Sequence, residues 1–288
     1  MVRSIYIVFL FVLLTINTKA HPAIGLVQDS KGNVYFSDLV HVWKISKAGD
    51  VSIAVENVHT HQLYIDADDN LYGEHVWYEG EATDKWVHRV WCLKHDGSLS
   101  DVIPPTEGFP ENNTLKKDMY GNEYYQVKEG DFDVLMQKSI NGRISKFSTH
   151  NFEDIRWICA DSKSDEILVV DHLSVKKVKC DGSVELLTDD LKEESLPFFG
   201  VRDKHYLMGT WKDSKKNVYV AVYGAKKVKR ISADGQVEDV LTSKDGWSPS
   251  AGFIDEEENL WILEYSKRNK SRVRKISKEG HSVVFENN

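Results

Sequence analysis

This sequence predicts an all-β protein made of six repeated four-stranded units, and three observations carry that expectation. One turn motif recurs six times along the chain. A second turn motif trails each copy. Between the turns run short apolar segments that alternate at period two or read as unbroken aliphatic runs, with no helical periodicity to interrupt them.

The first motif is an Asp, three mostly polar residues, an Asn, and an aliphatic–aromatic pair. Its copies run from Asp29 to Asn33, Asp66 to Asn70, Asp118 to Asn122, Asp161 to Asp165 (with one residue extra), Asp213 to Asn217 and Asp255 to Asn259. The intervals between the leading Asp residues are 37, 52, 43, 52 and 42. A carboxylate at the start of a tight turn accepts backbone N–H bonds across it, so these Asp residues are structural. The trailing motif is Gly49-Asp50, Asp96-Gly97, Asn141-Gly142, Asp181-Gly182, Asp234-Gly235 and Glu279-Gly280. Such pairs favour hairpins because both turn positions want positive φ. The first turn thus joins strands one and two of a unit, and the second joins strands three and four. In unit five, strand two is Asn217 to Val222, strand three Lys227 to Ser232 and strand four Gln236 to Leu241. Strand two is nearly all apolar, as a strand covered on both faces should be, whereas the outer strands alternate. Units of roughly 45 residues cannot bury their own faces, so they must stack on one another. The expected fold is a single six-bladed β-propeller over 21–288, with four antiparallel strands per blade. The blades fall at about 22–56, 57–104, 105–149, 150–190, 191–243 and 244–288.

Residues 1–20 stand apart. Arg3 precedes an apolar run from Ile5 to Ile16, and Thr18-Lys19-Ala20 supplies small residues for cleavage. This is the pattern of a secretory signal peptide, and the run is short for a membrane span. A retained N-terminal anchor is the alternative. The expected location is secreted or extracytoplasmic, with no transmembrane span after cleavage. Of the 288 residues, 268 would remain, and loss of Arg3 and Lys19 would take the formal charge from −8 to −10. An acidic balance argues against a nucleic-acid partner. Cys92, Cys159 and Cys180 are odd in number and lie in apolar, strand-like stretches, so buried thiols are expected. Asn112-Asn113-Thr114 and Asn269-Lys270-Ser271 are glycosylation sequons, relevant only in a eukaryotic source.

The whole chain resembles six-bladed propellers of the NHL and SMP-30/gluconolactonase type. Pro22 to Asp38 is similar to an NHL blade opening, and Asn217 to Gly235 to a late blade of the SMP-30 group. The resemblance implies hydrolysis of sugar lactones with one divalent cation, calcium or zinc, in the central tunnel. It also implies Glu, Asn and Asp ligands from inner-strand ends and an Asp as acid/base. Where that family carries its metal Asp in a Pro-Asp-Gly, this chain reads Leu207-Met208-Gly209, and it contains no Pro-Asn-Gly.

Read without the resemblance, the residues five and seven before each turn Asp share one strand face near the tunnel. They are Pro22/Ile24, His59/His61, Glu111/Asn113, Asp154/Arg156, Tyr206/Met208 and Ser248/Ser250. The ends of strand two return to the same mouth with Ser37-Asp38, Glu74-His75, Asp171-His172, Tyr223 and Glu264-Tyr265. His59 and His61 with Glu74 form a candidate metal set, since two imidazoles and a carboxylate suit zinc or a similar ion. Hydrogen-bonded rim histidines are the alternative. Arg156 suits an anionic group, or pairs with Asp154 or Asp171. Trp77 to Trp91 reads as an irregular polar-aromatic insertion between strands two and three of unit two, a place where functional loops occur. Two functions follow. One is a metal-assisted lactone or ester hydrolase, with His59, His61 and Glu74 on the cation and Asp171, Glu264 and Arg156 in catalytic roles. The other is a non-enzymatic module holding a small polar molecule or a protein at the tunnel mouth.

Overall fold

The computed structural model describes residues 22–109, 115–160, 166–194, 197–198 and 205–287. The signal-peptide segment, the fourth turn motif, the first sequon and Glu111/Asn113 lie outside them.

Six antiparallel sheets follow one another along the chain as the blades of a β-propeller. Blade one holds β1 (Leu26–Gln28), β2 (Val34–Ser37), β3 (Val42–Ile45) and β4 (Val51–Val55). Blade two holds β5 (Leu63–Ile65), β6 (Leu71–Tyr78), β7 (Trp86–Leu93) and β8 (Leu99–Glu107). Blade three holds β9 (Glu123–Glu129), β10 (Phe132–Lys138) and β11 (Ile144–Lys146). Blade four is β12 (Ile155–Ala160), β13 (Ile167–Asp171), β14 (Ser174–Val178) and β15 (Val184–Thr188). Blade five is β16 (Thr210–Lys212), β17 (Val218–Val222), β18 (Lys227–Ile231) and β19 (Val237–Thr242). Blade six is β20 (Trp247–Ile254), β21 (Leu260–Ser266), β22 (Ser271–Ile276) and β23 (Ser282–Glu286). Among the described residues, the inner strand of blade three is reduced to the bridge Lys117–Glu123, beside which Tyr124 N–H donates to the Lys116 carbonyl at 3.0 Å.

Both turn motifs do what their chemistry requires. Asp29 Oδ1 accepts from the backbone of Lys31 and Asn33 at 3.1 and 2.7 Å, and its Oδ2 from Asn33 Nδ2 at 2.7 Å. Asp66, Asp118, Asp213 and Asp255 repeat the pattern. The Asn amide has a second task. In the first three blades its Oδ1 accepts from the backbone of the trailing turn, Asn33 from Lys47 at 3.2 Å, Asn70 from His95 at 3.3 Å and Asn122 from Ile140 at 3.3 Å, which ties the two turns together. Gly142 and Gly235 sit at φ +85° and +86°, which is why Gly ends that second turn.

Among the described residues no strand is exchanged between the first and last blades, since each sheet is sequential. Closure comes from side chains. Tyr265 Oη donates to the Ser37 carbonyl at 2.7 Å, and Asn287 Nδ2 donates to Asp38 Oδ2 at 2.8 Å. One buried apolar cluster spans blades one, five and six through Ala23, Phe36, Met208, Trp211, Ala251 and Leu263.

Two expectations change. Trp77 to Trp91 is not irregular: it is the outer half of a long hairpin in which Trp77 pairs with Val87 and Tyr78 with Trp86. Alternation there is masked because polar and aromatic residues fill both faces. None of the three cysteines is in a disulfide, but only Cys92 is buried; Cys159 is half-buried and Cys180 is exposed at the start of the Asp181-Gly182 turn. Among the described residues, no helix is long and apolar enough to cross a membrane.

Candidate functional site at the channel mouth

Antiparallel order puts the Asp turns on one face of the ring. The ends of strand two, the starts of strand one and the connections between blades lie on the other. The candidate residues among those described fall on this second face. Three of its bonds stitch neighbouring blades: Ser37 Oγ donates to the Thr60 carbonyl at 2.5 Å, Ser248 Oγ to the Tyr223 carbonyl at 2.5 Å, and Tyr265 Oη to the Ser37 carbonyl.

Blade two gathers the polar cluster. Glu74 is buried midway along β6, and its Oε1 accepts from the backbone N–H of His61 at 2.6 Å and of Gln62 at 3.1 Å. His61 Nδ1 lies 3.5 Å from the same oxygen. The His59 ring meets the His61 ring edge-on with centroids 4.6 Å apart, and its Nδ1 faces the Leu39 carbonyl at 3.0 Å. The His59 backbone N–H donates to His75 Nδ1 at 2.7 Å, and the His75 ring stacks on Trp77. Burial, and then the neighbouring His61, hold His59 below the usual imidazole value; burial and then Arg89 do the same for His75. From blade three, Lys116 brings a partly buried ammonium within the field of Glu74, and burial pushes it down to about 8. Lys116 was passed over in the sequence because it lies two residues before its turn Asp, outside the count of five and seven.

The structure brings His59, His61 and Glu74 together, with Glu74 Oε1 and His59 Nδ1 already facing backbone groups. Among the described residues, no three His, Cys, Asp or Glu side chains are arranged to hold a metal ion. This donor set therefore does not fit a cation as it stands, and no catalytic step is derived through one.

The three catalytic candidates are dispersed and committed. Asp171, buried at the end of β13, accepts from Asp154 N–H at 2.8 Å and pairs with Lys176 Nζ at 2.5 Å; that ammonium is 3.3 Å from His150 Nε2. Glu264 is 0% exposed. Its Oε2 accepts from Arg272 Nε at 2.7 Å and from Arg274 Nη2 at 3.1 Å, while Ser243 Oγ donates to Oε1 at 2.5 Å. Glu264 is thus held between two guanidinium groups and a hydroxyl, with its oxygens already engaged. Arg156 takes the first of its two structural partners, with Nε and Nη2 on Asp154 Oδ2 at 3.0 and 2.9 Å. Arg156 and Ser250 both sit at β-bulges, where the period-two count that placed them on a face is interrupted.

The chain matches no family model and no curated protein sequence. Solved structures do resemble it. A catalytically inactive histidine-to-alanine variant of virginiamycin B lyase from Staphylococcus aureus, with quinupristin, is 12% identical at a TM-score of 0.52, covering 92% of this chain and 84% of that one. Regucalcin from Agrobacterium tumefaciens, described as a calcium-binding protein, is 12% identical at 0.54, covering 85% and 82%. An auxiliary nutrient-binding protein from Bacteroides thetaiotaomicron is 11% identical at 0.57, covering 92% and 69%. The chain has the six-bladed propeller fold of these proteins. At such identities the likeness establishes the fold, which agrees with the expected SMP-30/NHL-like propeller, and one fold here hosts a lyase, a calcium-binding protein and a nutrient-binding protein.

Proposed function

We propose that this propeller is a binding module that takes a small polar molecule with an anionic group at the blade two–blade three sector of the channel mouth. The observation that carries the reading is the imbalance of charge-bearing groups there. His59, His61, His75 and Lys116 surround one carboxylate, Glu74, which already accepts two backbone N–H bonds. Imidazole and ammonium groups gathered around a carboxylate that already accepts two backbone N–H bonds favour an incoming acceptor such as a carboxylate or phosphate. The test is calorimetric titration of a panel of small carboxylates and phosphate esters into the purified protein. Binding that weakens about tenfold in His61→Ala, a change of about 1.4 kcal/mol, supports the reading. Equal affinity in that variant contradicts it.

Metal-assisted hydrolysis of a lactone or ester is the second reading. It is favoured by the contact of His61 with Glu74 and by the likeness to a calcium-binding propeller. It requires Glu74 to exchange backbone N–H groups for a calcium or zinc ion. Elemental analysis of the purified protein, with a lactone and ester panel, separates the two readings: a bound cation lost in His61→Ala, together with turnover, favours hydrolysis. The N-terminal segment supports secretion into an extracytoplasmic space, which signal-peptide mapping by N-terminal sequencing tests.

A further inference from the structure

The blade two hairpin ends in a surface that the binding site does not use. β6 and β7 run for eight residues each, whereas β2, β13 and β17 have four or five. At the far end Tyr78 pairs with Trp86 across the ladder, and Gly108 N–H donates to the Trp86 carbonyl at 2.8 Å, which sets Phe109 alongside. The result is one aromatic row across the ends of β6 and β7 and the segment that leaves β8. Ring centroids are 5.4 Å apart from Tyr78 to Trp86 and 5.4 Å from Trp86 to Phe109. The three residues are 40%, 45% and 56% exposed.

Single exposed apolar residues are ordinary, but a contiguous aromatic row open to water marks a contact surface. Its rim selects the partner. Glu79, Glu81 and Asp84 are exposed in the turn, and Glu107 borders the row. Lys85 is the cation within this turn, and it is neutralised by Glu107 at 2.6 Å. Aromatic faces are electronegative, and carboxylates around them add to the field, so the surface attracts cations and repels phosphate-rich partners.

We propose that this tip docks a basic peptide segment of a partner protein, its Arg or Lys side chains lying over Trp86 and Phe109 with their charges toward Glu79, Glu81 and Asp84. Arginine suits such a place best, because its planar head stacks on an aromatic face while its edge bonds carboxylates. Aromatic anchors with a charged rim are also the usual anatomy of a docking hot spot. The surface is separate from the His61–Glu74 cluster, so it stands or falls independently of the small-ligand reading.

Fluorescence anisotropy with labelled nonaarginine, nonaglutamate and a neutral Gly-Ser peptide tests it. Nonaarginine should bind, with affinity falling about tenfold in the Trp86→Ala/Phe109→Ala double variant and on adding salt. A Glu79→Lys/Glu81→Lys variant, which removes no packed ring, should weaken it as well. Nonaarginine binding that neither variant changes would reduce the effect to attraction by an acidic surface and overturn the proposal. So would equal binding of nonaglutamate. Self-association of the protein in sedimentation velocity, abolished by Trp86→Ala/Phe109→Ala, would assign the row to a second copy of this chain and overturn it too.

Discussion

In blades one, five and six the inner strands and their approaches carry Ala23, Met208, Ala251 and neighbours that merge into one apolar cluster, and Tyr265 closes the ring onto Ser37. The corresponding places in blades two to four carry His59, His61, Glu74, Lys116 and Arg156, with Asp133 accepting from Ile155 N–H at 2.7 Å and Asp171 paired to Lys176. Every sector has its own apolar core, but the closing sector adds a cluster that spans three blades, whereas the opposite sector gathers imidazole, ammonium and carboxylate groups at the mouth. The difference teaches where each property resides. Without a shared strand, closure needs a continuous core, and that core occupies the sector where the chain's ends meet. The histidines and the lysine of the mouth gather in the opposite sector.

The largest expected effect breaks the ionic device on the packed side. Glu264→Ala leaves Arg272 and Arg274 without their buried counter-charge and should cost about 3–5 kcal/mol in urea unfolding. A loss under about 1 kcal/mol would return Glu264 to the list of functional carboxylates. Next, Leu263→Ala empties a fully buried place in the shared cluster and should cost about 2–5 kcal/mol, whereas His61→Ala, in the polar sector, should cost much less. Comparable losses in the two would erase the contrast between sectors. Tyr265→Phe removes the closing hydrogen bond from the Ser37 carbonyl and should lower stability by about 1 kcal/mol. The smallest effect is on pH dependence. Both His59 and His75 lie below the ordinary value of 6.5 in the fold. Above 6.5 they are neutral in both states and contribute nothing. As pH falls through 6.5 the unfolded chain takes up protons that the folded protein resists, so stability declines. Thermal unfolding between neutral and mildly acidic pH should show this decline, and it should be shallower in His59→Asn.

The scaffold was readable because its signals are local. An Asp that caps its own turn and a Gly at positive φ act within five residues, so the repeats announced the blades before any contact was known. The site was readable only in part. Position relative to the turn Asp placed His59, His61 and Glu74 at one mouth, and the structure puts them side by side. What the count could not contain was partnership. Glu264 meets Arg272 and Arg274 across a ladder eight and ten residues on, and Asp171 meets Lys176 from the next strand. Bulges at Arg156 and Ser250 further break the alternation on which face assignments depend. The blade two hairpin escaped for a related reason, since polar and aromatic residues on both faces remove the apolar alternation that reveals a strand.

The division of labour between the two sectors is tested most directly by one calorimetric series. Small carboxylates and phosphate esters are titrated into the unsubstituted protein, His61→Ala, Lys116→Ala and Tyr265→Phe. The account predicts a ligand whose affinity falls about tenfold or more in the two polar-sector variants and is unchanged in Tyr265→Phe. A ligand bound equally by His61→Ala and Lys116→Ala, or lost in Tyr265→Phe alone, would contradict it.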